Sequence, residues 1–170
     1  MSISNARLDA VKRKGRVIAA VLLLSLAGSW IPSNAQGDPE RAALDFVTTG
    51  RIGSNLPEMA FAVASRTQTF QMLNQKLGPA EARQRVQDEI ATAAPKYQEQ
   101  WDKNLASAYA KHFSAEELDS LKAEGPRSEY AGKLASMQKA VGDDMRATSQ
   151  PMLTEMLKSV LQNVLSGVAK

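Results

Sequence analysis

Eight apolar residues recur at spacings of three or four along one stretch of this 170-residue chain: Val86, Ile90, Ala94, Tyr97, Trp101, Leu105, Tyr109 and Phe113. That period places them on a single face of an α-helix, and a helix with one apolar face must lay it against something. Valine and isoleucine never alternate with polar residues over a strand-length window. The common residues after position 35 (Ala, Leu, Gln, Glu, Lys, Met) are good helix formers. Pro95 sits inside the stripe, where it removes one backbone hydrogen bond and crowds the carbonyl of Ala91. Because the stripe keeps its phase across Pro95, a kink is expected there rather than a break.

The punctuation elsewhere is also helical. Asp38-Pro39-Glu40 combines a capping side chain with proline at the first helical position, and Gly50 supplies a stop. A second helix is expected from about Pro57 to Gly78-Pro79, with Met59, Val63, Phe70, Leu73 and Leu77 as its buried stripe. Ser114-Ala115-Glu116-Glu117 reads as a capping box. Gly125-Pro126 ends the helix that it opens. Ser128-Glu129 starts another through Leu134, Met137 and Val141, and interruptions are expected beyond it at Gly142 and Pro151. The last helix carries two parallel rows, Met152, Met156, Val160, Val164, Val168 and Leu153, Leu157, Leu161, Leu165. Each step of four advances the direction by about 40°, so the rows form a broad apolar ribbon along the helix. The expected fold is all-α: one domain, 36–170, of five or six helices.

Residues 1–35 have the order of an export signal. Arg7, Lys12, Arg13, Lys14 and Arg16 precede the apolar run VIAAVLLLSLA (17–27), followed by Pro32 and the small-x-small triplet Ser33-Asn34-Ala35. Cleavage is expected between Ala35 and Gln36. The apolar run is short of the roughly 20 residues that span a bilayer as a helix, so no stable membrane insertion is expected once the signal is removed. Retention as an uncleaved anchor is the alternative that the long basic region and Trp30 leave open. The implied location is the periplasm or the exterior, reached by the general secretory route.

Separating this segment changes the charge reading. Five of the 21 Lys+Arg and one of the 18 Asp+Glu lie within it, leaving 16 basic and 17 acidic residues in the remainder. That remainder lacks the positive excess expected of a nucleic-acid or anionic-lipid binder. The chain has no cysteine. Disulfides, thiol nucleophiles and thiolate metal sites are therefore excluded, and an exported domain of this kind must be held by core packing.

The segment Tyr109-Ala110-Lys111-His112-Phe113-Ser114-Ala115-Glu116-Glu117-Leu118-Asp119-Ser120-Leu121 resembles the signature Tyr…Phe-Thr/Ser-x-x-Glu-Leu of the domain of unknown function 2059 family, a group of exported bacterial helical proteins. The family's aromatic pair is replaced here by Glu124-Gly125. Its Ser-Pro-x-Gly-x-Lys turn appears only as Ser128-Glu129-Tyr130-Ala131-Gly132-Lys133, without the proline. The resemblance implies export and an all-helical fold. It carries no assigned activity and no catalytic residues.

No chemical constellation stands out. His112 is the single histidine and reads as a helix-end residue favoured by the helix dipole. Glu116, Glu117 and Asp119 are explained by the capping box, and Asp143-Asp144 is an isolated pair expected near a helix start. There is no G-x-S-x-G elbow and no glycine-rich phosphate loop. Catalytic, cofactor and metal residues are accordingly not assigned, and the chain is read as not an enzyme. The aromatic stripe and the methionines Met137, Met145, Met152 and Met156 read as core. The leading functional expectation is a non-enzymatic envelope protein acting by helix-mediated interaction, as a dimer or chaperone-like factor. The ribbon Met152, Leu153, Met156, Leu157, Val160, Leu161, Val164 and Leu165 is its candidate surface. A periplasmic carrier of an apolar small molecule, requiring an enclosed cavity, is the alternative. A hydrolytic enzyme stands behind both.

Overall fold

Asp38 opens the first helix, its side chain accepting from the Glu40 amide at 3.0 Å, and Gly50 caps the other end. The computed structural model describes residues 37–168, so the signal reading of 1–35 and the Ala35–Gln36 junction lie outside the described residues. Among the described residues there are seven α-helices and no strands: α1 (Pro39–Thr49), α2 (Leu56–Ala64), α3 (Gln68–Leu77), α4 (Pro79–Ala93), α5 (Gln98–Ala110), α6 (Ala115–Glu124) and α7 (Ala131–Val168). Short 3-10 turns precede α2, link α4 to α5, and follow α6. The all-α class is as expected. The count exceeds five or six because two expected helices divide and two others fuse.

The helix expected over 57–77 breaks at Thr67. The Thr67 hydroxyl donates to the Ala64 carbonyl at 2.7 Å and accepts from the Phe70 amide at 3.2 Å. One side chain thus ends α2 and caps α3. The break also changes which face of α2 is inward. Leu56, Ala60 and Ala64 are fully buried, whereas Met59 and Val63, expected in the core, are 43% and 41% exposed. At Pro95 the chain breaks into a 3-10 turn, Ala94–Lys96, rather than kinking. The stripe nevertheless faces inward on both sides: Val86, Ile90, Trp101, Tyr109 and Phe113 are all buried.

Gly142 and Pro151, expected to interrupt, both lie inside α7, a continuous helix of 38 residues. Pro151 forfeits the bond to the Ala147 carbonyl, a loss of about 3 kcal/mol in an isolated helix. Buried side chains on both sides of it, Met145 and Ser149 before, Met156 and Leu157 after, hold the helix together. Burying each apolar one contributes roughly 1.5–3 kcal/mol, enough to offset the proline. Asp143 and Asp144 consequently sit in the middle of a helix rather than near its start.

Helix α1 packs on α5 and α6, α3 on α4, and α2, α4 and α5 on α7. Phe46 of α1 meets the Tyr109 ring edge-on at 5.3 Å, and Phe113 tilts against Tyr109 at 5.9 Å. The apolar ribbon finds its partner surface within the chain. Met156, Leu157, Val160, Leu161 and Val164 are buried, and Met152, Leu153 and Leu165 are half-buried. Asn163 on the same helix donates to Glu89 of α4 at 2.7 Å. The candidate interaction surface read from the sequence is thus largely an interior face.

Candidate functional site

With the ribbon inward, apolar exposure concentrates on α2, and it borders a groove. A trough of about 560 Å³ runs between α2, α5 and α7. Met59 and Val63 of α2, with Arg66 in the turn that follows, form one side. Trp101, Leu105 and Tyr109 of α5 form its floor, and Val141, Gly142, Met145, Arg146 and Leu153 of α7 form the other side. The floor is tightly closed: Trp101 and Tyr109 are buried, and beside them on α7 so are Val141, Met145 and Ser149. Leu153 is the one ribbon residue that lines this groove.

Its geometry follows from local sequence. Thr67 ends α2 one residue after Arg66, leaving that side chain exposed at the rim. On α5 the floor residues stand four apart, and the period of the helix aligns them. On α7, Gly142 opens the wall; a Cβ built there meets nothing within 4 Å. Met59 and Met145 add flexible, polarizable surface that adapts to varied apolar partners.

Two polar features lie under the groove. The Trp101 Nε1 donor is buried without an acceptor among the described residues. An unmet buried donor costs about 1–3 kcal/mol. The Asn104 amide donates to the Ser149 hydroxyl at 3.0 Å, and that hydroxyl donates onward to the Met145 sulfur at 3.3 Å. Burial raises the Tyr109 phenol pKa, with a hydrogen bond to Gln138 opposing it.

His112 meets a carboxylate, as a catalytic reading would require. Its Nε2 lies 2.8 Å from Asp144 Oδ2, and Lys111 Nζ lies 2.8 Å from Asp144 Oδ1. The Lys111 ammonium, and after it His112, holds the Asp144 carboxyl below its ordinary value of 3.8. None of the three lines the α2/α5/α7 groove. The cluster ties the end of α5 to the middle of α7. Glu117 is held by its own capping box and by a lysine of α7. It accepts from the Ser114 amide at 2.8 Å and from Lys133 at 2.7 Å. Burial works to raise its pKa, and the Lys133 and Ser114 hydrogen bonds outweigh it, leaving it lowered.

A second groove, about 590 Å³, lies between α1, α4 and the turns around Arg51 and Pro95. Gln98 braces it by donating to the Gly53 carbonyl and to Asp102 Oδ1, both at 2.9 Å. No three His, Cys, Asp or Glu side chains gather as a metal site among the described residues. No described helix is long and apolar enough to cross a membrane.

The chain matches no protein-family model, no curated protein and no solved structure. Any functional statement therefore rests on its own residues. Sequence reasoning passed over Met59 and Val63 as core and did not single out Arg66 or Arg146. The available signal was the row Leu56, Ala60, Ala64, whose spacing of four marks the inward face of α2 and turns Met59 and Val63 away from it.

Proposed function

We propose that this chain is a non-enzymatic binding protein of the bacterial envelope, exported by the signal-like residues 1–35, that engages another protein through the α2/α5/α7 groove. The observation that carries this is the pair Met59 and Val63. They are two of the large apolar side chains left exposed among the described residues, and they border the same trough. Covering two half-exposed side chains contributes on the order of 2–3 kcal/mol before other contacts are made. Methionine and arginine at the rim and aromatics in the floor match the composition of interface centres. The carrier reading asked for an enclosed cavity, and this groove is open along one side.

The test is a photo-crosslinker at Met59 in the full chain, with adducts identified in the periplasmic fraction by mass spectrometry. A defined protein adduct, lost when Gly142→Leu fills the trough, supports the proposal. A Cβ at Gly142 meets nothing within 4 Å, and a thermal melt of the variant by circular dichroism checks that it folds. Absence of any protein adduct overturns it, and co-purification of a small apolar molecule in place of a protein favours the carrier.

A further inference from the structure

The residues lining the α2/α5/α7 groove include two arginines, Arg66 and Arg146, and no aspartate or glutamate. Arg66 makes no ion pair among the described residues. Arg146 Nη1 lies 2.9 Å from Asp143 Oδ1, but Lys139 shares that carboxylate, at 2.6 Å from Oδ2. The Lys139, Asp143 and Arg146 cluster therefore keeps one net positive charge. The arginines enter from opposite sides, one from the end of α2 and one from α7. An apolar trough is thus flanked by cations on both lips, although the charges after position 35 are nearly balanced.

The surrounding backbone restricts what can lie there. The walls are α2, α5 and α7 with the 3-10 turn Ile52–Asn55 and the turn after α2. Apart from the Ala147 carbonyl freed by Pro151 the helices bond their own backbone, so there is no strand edge to pair with an extended peptide. A helix, which closes its own backbone hydrogen bonds and presents one apolar stripe, suits such a trough. The trough follows α7 from Gln138 to Leu153, about 22 Å at 1.5 Å per residue, or roughly four turns. An acyl chain needs most of its surface enclosed, and the closed floor leaves only an open channel. Helix and trough fit better.

We propose that the occupant is an amphipathic helix of a partner protein, about four turns long, whose apolar stripe is flanked by aspartate or glutamate on both sides. Arg66 and Arg146 take those carboxylates, with the guanidinium fork suited to paired hydrogen bonds. Methionine and valine at the rim take the stripe. This inference rests on the binding role proposed for the groove and adds the chemistry of the partner.

The test pans a displayed library of 16-residue helical peptides, fixed for a leucine stripe and random at the flanks, against the full chain. Enrichment of acidic flanks, with at least tenfold weaker binding to the Arg66→Glu/Arg146→Glu variant, supports the proposal. On that variant, selection should turn to basic flanks. Groove-dependent binders with neutral or basic flanks on the native chain overturn the acidic helix and leave the binding role standing. No enrichment that Gly142→Leu abolishes overturns both. Dodecanoate binding that is lost in the double arginine variant, without peptide enrichment, replaces the helix by an anionic amphiphile.

Discussion

Asn104 and Ser149 form a buried polar bond between α5 and α7, 45 residues apart in sequence and 3.0 Å apart in space. Asn104 is further held by Gln100, whose amide donates to its side-chain oxygen at 2.8 Å. Ser149 is fully buried, so replacing it with alanine strands an amide donor beyond the reach of water. Ser149→Ala should lower the unfolding free energy by about 1–3 kcal/mol. Adding Asn104→Leu should cost less than the sum of the two single changes, because both remove the same bond. Urea unfolding of the four proteins in this cycle checks it, and strict additivity would refute the coupling.

The Asp144 carboxylate gives a prediction in pH. Its pKa is lowered in the folded chain, so its contribution is present above the ordinary value of 3.8 and lost as pH falls through the folded one. Asp144→Asn should therefore be less stable than the native chain at pH 6. The difference should close as pH falls below 3.8 towards 2. Denaturation midpoints of both proteins across that range would show a constant gap if the carboxylate were not engaged by Lys111 and His112.

Gly53 is required by a close approach. A Cβ at this position would stand 1.9 Å from Asp102 Oδ1, the atom that accepts from Gln98. Gly53→Ala should cost about 1–3 kcal/mol by overpacking. The same change made in an Asp102→Ala background should cost distinctly less. Calorimetric melting of the two pairs distinguishes this clash from a generic glycine effect, which would be equal in both.

Trp101 combines a large buried ring with an unmet donor. Trp101→Ala should cost about 3–5 kcal/mol through the cavity it leaves. Trp101→Phe keeps most of the ring and removes the donor, so it should cost less than about 1.5 kcal/mol. Chemical unfolding of both variants is the check; a phenylalanine variant as unstable as the alanine one would mean that the indole nitrogen has a partner.

The capping signals were legible because they are closed within a few residues. Asp38 and the Ser114–Glu117 box form as read, since all the atoms involved belong to one turn. The two prolines show where local reading stops. Pro95 divides the chain while Pro151 stays within a helix, although each removes the same kind of bond. The outcome at Pro151 is decided by what α7 packs against, which lies far away in sequence. Thr67 was missed because a threonine inside an apolar pattern can either continue a helix or cap a new one. The terminal ribbon was legible as a face that needs a partner, but its pattern could not say that α4 and α5 would supply it. The groove was hidden for the same reason, its three walls coming from segments around residues 59, 105 and 145.

The length of α7 has a consequence for the order of assembly. Val86 and Ile90 of α4 are sealed in a core shared with Met156, Val160 and Val164, and Asn163 fastens the pair through Glu89. Until those last turns arrive, the inner side of α4 is covered only by α2 and α3. A chain stopped before residue 152 would keep helices with their apolar flanks bare, a state that sticks to itself and is open to proteases. The last turns of α7 thus complete a core that the earlier helices share but cannot close by themselves.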